Sequence, residues 1–354
     1  MTRLPAERTA WAVGGLGLVG TAVCWIIAPS AFPHAWLAAL TVWLGWPLGC
    51  MGLLLIHSLT GGRWGEALRP QLIAGMITLP LLLPALIPLL IVFPSLYPWA
   101  RPEASQLGNH FYLNVPFFAG RGIAYLIIWF GLGGLILRAL RRAKPDRGLS
   151  RIAPAGLILL AITITFAAID TTMSLNPDFA SSAYGLIALA ETGLLALAVS
   201  LLAAAWRAPP VAEVTSNLGQ LLLALVILWA YLDFMQVLIV WQSDLAADAP
   251  WYVVRSSGIW AGIAMAVAAG HFALPFSVLL RPQLRSSLRG IAVVAGLLIV
   301  SAVLEGWWLV VPASGLGLGL VDAFAMLGVI GIAAAVALRA PLLPAMPEAF
   351  RRHV

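Results

Sequence analysis

Apolar runs of about 18–25 residues recur along the whole chain, separated by short stretches rich in Arg, Pro and Gly. Coiled as helices at ~1.5 Å per residue, such runs each cover a ~30 Å hydrocarbon core. The pattern predicts ten spans, at 11–28, 35–57, 71–93, 116–138, 152–172, 182–206, 217–241, 257–280, 288–311 and 316–338. No stretch between them is long enough for a soluble domain, so residues 1–354 read as a single polytopic membrane domain. The fold class that follows is an all-α integral membrane protein.

Composition agrees. Charged residues are 10% of the chain and hydrophobic ones 62%, where a soluble domain is about a quarter charged. The net charge of +6 invites a nucleic-acid reading, but the distribution of charge excludes it. Apart from Arg101, Arg255 and the intramembrane Arg121, every Lys and Arg falls before the first span, after the last, or in connections on one and the same side. Six of them, Arg138, Arg141, Arg142, Lys144, Arg147 and Arg151, cluster between the fourth and fifth spans. By the positive-inside rule both termini are cytoplasmic, and the alternation requires an even number of spans. Arg3 and Arg8 ahead of the first run also resemble a signal-peptide n-region, with Ser30–Ala31–Phe32 as a cleavage neighbourhood. The run is long for that, and its removal would break the even count, so it reads as a retained helix.

Three local features stand out. Pro80, Pro84 and Pro88 recur at i, i+4 and i+8 in the third run, and each removes a backbone donor, which predicts a bend. The outer connection at 93–115 carries Tyr97–Pro98–Trp99–Ala100–Arg101–Pro102, suited to an interfacial cap with an aromatic belt. Thr60–Gly61–Gly62–Arg63 reads as a tight inner turn and lacks the lysine of a phosphate loop.

The chemistry lies in charged residues inside the runs: Arg121, Asp170, Glu191, Asp233, Glu305 and Asp322. A charge at the bilayer centre costs at least ~2.5–3.5 kcal/mol, so these side chains face a bundle interior or a watered path. Counted at ~1.5 Å per residue, Glu191 lies ~13 Å below the outer boundary, with Asp233 at a similar depth. Asp170 and Arg121 come out shallower, His271 past the midplane, and His57 at the cytoplasmic face. The six candidates His57, Arg121, Asp170, Glu191, Asp233 and His271 therefore read as a ladder for protons or a quinol pocket, with Arg121 holding a carboxylate ionised. The bland reading of Arg121 is an ion pair with Asp170 or Glu191. Glu305 and Asp322, near run ends, read as wetted. Cys24 and Cys50 are too few for an iron–sulfur cluster or a zinc site, and no CxxCH motif is present. Neither metal nor haem is expected.

Several segments, in order, resemble the membrane subunits of the polysulfide-reductase (NrfD-like) superfamily. They are Ile56–His57–Ser58–Leu59–Thr60–Gly61–Gly62–Arg63–Trp64–Gly65, Leu96–Tyr97–Pro98–Trp99–Ala100, and Phe111–Tyr112–Leu113–Asn114–Val115–Pro116–Phe117–Phe118 leading to Arg121. Next come Asp170–Thr171–Thr172–Met173–Ser174–Leu175–Asn176–Pro177, Asn217–Leu218–Gly219–Gln220, and Trp229–Ala230–Tyr231–Leu232–Asp233–Phe234–Met235–Gln236. Trp251–Tyr252 before Arg255 and His271–Phe272–Ala273–Leu274–Pro275–Phe276 complete the set. Within the superfamily the chain is most similar to the second quinone-binding-type subunit of bacterial alternative complex III, a quinol–cytochrome c oxidoreductase.

The resemblance implies ten helices with two central four-helix bundles in a bacterial cytoplasmic (inner) membrane. It implies quinone or quinol as ligand and nothing bound covalently. It also implies partners: a homologous membrane subunit, a periplasmic iron–sulfur subunit and c-type cytochrome subunits, with no nucleic acid. The chain departs from the pattern at Asp233, where a small or neutral residue is expected. From the residues alone, a stand-alone proton-coupled transporter using the same carboxylates is the alternative, and a structural anchor is the third.

Overall fold

The computed structural model describes residues 3–101, 111–142, 145–207, 209–242 and 249–339. Residues 102–110 of the outer connection, and Lys144, Arg351 and Arg352 of the basic side, lie outside the described residues.

Among the described residues all the regular structure is helical, with ten helices long and apolar enough to cross a membrane. In order they are α1 (Arg3–Ile27), α2 (Phe32–Thr60), α3 (Arg63–Met76) continued by α4 (Leu82–Leu96), α5 (Val115–Leu140), α6 (Pro145–Thr171), α7 (Tyr184–Arg207) and α8 (Ala212–Gln242). After the short α9 (Ala249–Arg255), the eighth span is α10 (Gly258–Val267), a π-turn (Ala268–Ala273) and α11 (Leu274–Leu279). The short α12 (Pro282–Arg285) leads to α13 (Leu288–Val310) and α14 (Leu320–Arg339). Every sequence-predicted span has its helix. The third is the one that grows most, because it begins at Arg63, directly after the glycine turn.

Local chemistry sets the boundaries. Gly61 and Gly62 take φ of 67° and 98°, a region open to glycine, and end α2 in a turn that starts α3 at once. Asn114 caps α5 by accepting from Phe117 N at 2.9 Å. The proline series breaks the third span into α3, a 3₁₀ turn at Leu79–Leu81 and α4. In the eighth span, Pro275 has no N–H to give the His271 carbonyl four residues back, and the backbone widens into the π-turn that carries His271.

Packing sorts the spans into two groups of four with a flanking pair. The first group is α2, α3–α4, α5 and α6; the second is α7, α8, α10–α11 and α13. The groups meet where α2 runs along α7 and α13, α6 packs on α7, and α3 touches α7 and α8. The flanking pair, α1 and α14, packs antiparallel and backbone to backbone. Gly14 faces Ile332, Gly17 faces Gly328, and Gly20 faces Phe324. A Cβ at Gly14 would lie 2.6 Å from Ile332 N. Small residues at such crossings let helices approach where no hydrophobic effect drives them together.

Candidate functional site

The candidate site residues fall in three separate places, not on one ladder. The first is the inner turn. His57, buried at the end of α2, contacts the Gly62 carbonyl through Nε2 at 2.9 Å and meets Trp64 edge-on at 5.3 Å. Its ring closes the α2–α3 turn and stands in no contact with another titratable candidate.

The second place lies within the first group of helices. Arg121 on α5 grips Asp170 on α6 with two parallel bonds, Nε to Oδ2 and Nη2 to Oδ1, both 2.8 Å. Tyr125 donates to Oδ2 at 2.6 Å, and Arg121 Nη1 reaches the Tyr112 carbonyl at 3.1 Å. The guanidinium also stacks on the Tyr112 ring, 3.9 Å from its centroid, and on Phe117 at 4.3 Å. This is the ion-pair reading of Arg121, with Asp170 as partner. Three donors on a carboxylate that is 1% exposed hold it in one place as an anion. Just outside the spans, the Tyr112 hydroxyl is pushed up by its own burial and then by the Asp170 charge.

The third place, in the second group, draws on all four of its helices. Glu191 comes from α7, Trp229 and Asp233 from α8, His271 from the π-turn and Glu305 from α13. His271, 1% exposed, lies between two carboxylates: Nε2 is 2.9 Å from Glu191 Oε2, and Nδ1 is 3.7 Å from Glu305 Oε2. Its ring stacks on Trp229 at 4.2 Å, and the Trp229 indole N–H donates to Glu305 Oε1 at 3.3 Å. Neither His271 nitrogen, nor Glu191 Oε2, nor Glu305 Oε2 makes an aligned hydrogen bond. One donor atom from each of Glu191, His271 and Glu305 lies within 4.8 Å of the other two.

Two corrections to the sequence reading follow. His271 is not a separate, deeper rung but sits beside Glu191. Glu305, read as wetted at a span end, is 4% exposed and belongs to the cluster. Side-chain direction explains both. The eighth span and α13 run antiparallel, and a helical side chain leans towards its own N-terminus. The backbone of Gly270 faces Leu297 and Ser301, about one turn from Glu305. His271 and Glu305 lean towards each other across that offset. Asp322, the other residue read as wetted, is also buried, and its Oδ2 accepts from Gly319 N at 2.8 Å to cap α14.

Two cavities flank the cluster. A smaller chamber of about 100 Å³ opens between the two helix groups; its wall is mostly apolar but includes Thr172, Tyr184, Glu191, Asp233, Gln236 and Glu305. That is room for a few waters with polar partners. An apolar groove of about 740 Å³ runs beside α8 and the eighth span, walled by Tyr231, Phe234, Phe272 and Phe276 among others. Asp233, Glu305 and Trp308 border both.

Sequence reasoning placed Arg255 in an outer loop; it is 2% exposed. Its guanidinium donates to the carbonyls of Trp308 (3.1 Å), Leu309 (2.8 Å) and Trp251 (3.1 Å), and stacks on the Trp251 ring at 3.8 Å. Burial pushes its pKa down to about 10. It staples α9 over the end of α13 and walls the groove. Nearby, Ser181 donates to Gln236 Oε1 at 2.6 Å, and Gln236 Nε2 donates to the Tyr252 hydroxyl at 3.0 Å, closing the chamber's outer end. The run of aromatics around Arg255 was the available signal for both.

No family model matches this chain, and no curated protein matches it.

Proposed function

We propose that this chain is a non-redox membrane subunit of a quinol-oxidising respiratory complex, serving quinol access and proton movement through its buried carboxylates. The observation that carries the chemical part is the position of Asp233 and Glu305. They stand between an apolar groove wide enough for a lipid-soluble ring and a smaller chamber with Glu191, Thr172, Tyr184 and Gln236 in its wall. A carboxylate at such a boundary takes a proton from one side and releases it to the other, with His271 within reach of both Glu191 and Glu305.

The assembly part rests on the ordered short motifs that resemble the polysulfide-reductase-like membrane subunits. It brings a homologous membrane subunit, a periplasmic iron–sulfur protein and c-type cytochromes as partners, in a bacterial cytoplasmic membrane with both termini inside. Affinity purification of the tagged chain from native membranes, with mass spectrometry and an absorption spectrum, tests it. Recovery with an iron–sulfur protein and c-type haem supports the reading. A colourless chain recovered alone overturns it.

One observation favours a second reading, a stand-alone proton-coupled transporter. The eighth span is broken by a π-turn at the site itself, and interrupted helices at buried polar sites are a transporter device. Substrate-dependent proton uptake by liposomes holding only this chain would select it.

A further inference from the structure

We propose that Glu191, His271 and Glu305 form a binding site for one divalent transition-metal ion of the Zn²⁺ type. The argument begins with charge. Two carboxylates face one imidazole in a buried setting, and among the described residues no Lys or Arg pairs with Glu191, Asp233 or Glu305. Arg255, the nearest cation in the groove wall, donates to carbonyl groups. A buried anion must be neutralised or paired. Two protons do this, and so does one divalent cation held by two carboxylates and a neutral histidine.

Geometry favours the cation. His271 Nε2 and Glu191 Oε2 are 2.9 Å apart yet misaligned for a hydrogen bond, so each lone pair is aimed past the other atom. Two ligands of one tetrahedral ion, each at ~2.0–2.1 Å, stand about 3.3 Å apart with both lone pairs on the metal. With one ligand atom taken from each residue, the three donors lie within 4.8 Å of one another; the ion takes a single His271 nitrogen, and the carboxylate nearer the other nitrogen turns to reach it. His271 is 1% exposed with both nitrogens unpartnered. Such a buried group asks for a ligand. Trp229 already fixes Glu305 through Oε1 and leaves Oε2 free, as an outer partner orients a metal ligand. The chamber, walled in part by Glu191 and Glu305, leaves room for a further ligand.

The donor set chooses the ion. Imidazole nitrogen with two carboxylate oxygens suits a borderline ion, whereas Mg²⁺ and Ca²⁺ take oxygen alone. Cysteine takes no part. Because the three ligands come from three helices, no sequence spacing announces them; the expectation of no metal site rested on there being only two cysteines and no CxxCH motif. Because its ligands must be deprotonated to bind, Zn²⁺ competes with protons at this point.

The test is equilibrium binding of Zn²⁺ to the chelator-stripped, detergent-purified full chain, read by elemental analysis after desalting. One Zn²⁺ per chain is expected, weakened at least about tenfold in both Glu305→Gln and His271→Asn. X-ray absorption of the loaded wild-type chain, which needs no variant to fold, should show one imidazole among oxygen neighbours. Failure to retain Zn²⁺, retention unchanged in both variants, or a sulfur or multi-histidine shell overturns the site. Because the readout is metal content and ligand identity, it stands or falls independently of any respiratory partner.

Discussion

His271 Nε2 lies 2.9 Å from Glu191 Oε2, on another helix of the same group, with no aligned hydrogen bond between them. By contrast, Asp170 in the other group accepts three well-formed bonds from Arg121 and Tyr125. One set of buried charges is saturated and the other is open. A saturated network holds a fold, while an open one is free to take a proton or an ion. This contrast divides the sequence-derived candidates more sharply than their depth in the membrane does.

For the saturated pair, the expected effect of mutation is on stability. Arg121→Ala leaves Asp170 as a buried anion with one remaining side-chain donor, at a cost of about 3–5 kcal/mol. Arg121→Met combined with Asp170→Leu removes both charges and should recover most of that loss. Thermal unfolding of the purified single and double variants checks this. A double variant as unstable as the single would show that more than the unpaired charge is at stake.

His57 is expected to behave as a clamp on the α2–α3 turn. His57→Ala leaves the Gly62 carbonyl without its side-chain partner and Trp64 without its edge contact. The loss should be ~1–3 kcal/mol of stability, with turnover per folded molecule unchanged. Loss of turnover in a fully folded variant would return His57 to the proton path.

How much of this was legible in the sequence follows from what each feature depends on. Spans were readable because hydrocarbon thickness fixes a length and every residue in a run reports on it, so ten runs became ten helices. The turn at Gly61–Gly62 and the break near Pro80 were readable because glycine and proline act on their own backbone. Depth failed for His271 and Glu305 because counting rise per residue locates the backbone and ignores side-chain lean. That lean is decided by which helices run antiparallel in contact. The partner of Arg121 was left open between Asp170 and Glu191 for the same reason: pairing is a property of packing, and α5 packs on α6. The burial of Arg255 was missed because a short buried helix outside the spans carries no hydropathy signature.

The α1–α14 crossing predicts a position intolerant of any side chain. At Gly17 a Cβ would run into the Gly328 backbone, which has no rotamer with which to yield. Gly17→Leu should separate the pair and cost at least the ~1–3 kcal/mol of overpacking, whereas Gly15→Leu, with open space at its Cβ, should be neutral. Chain level in membranes and the melting temperature of both variants decide between them. Equal behaviour would mean that the two helices do not associate this closely.

The open cluster gives the prediction that most directly separates function from architecture. Glu191→Gln together with Asp233→Asn keeps the shape of both side chains while removing their capacity to carry protons. If the carboxylates move protons, the native assembly containing this variant should be recovered in normal amount with quinol-dependent turnover lowered at least about a hundredfold. If they only hold the helices together, yield falls and the rate per recovered complex stays the same. Both quantities come from one preparation. Among the described residues these two carboxylates have no salt-bridge partner except His271 beside Glu191, so little stability should be lost. A fall in rate at constant yield is therefore the expected result, and a fall in yield at constant rate would make the cluster structural.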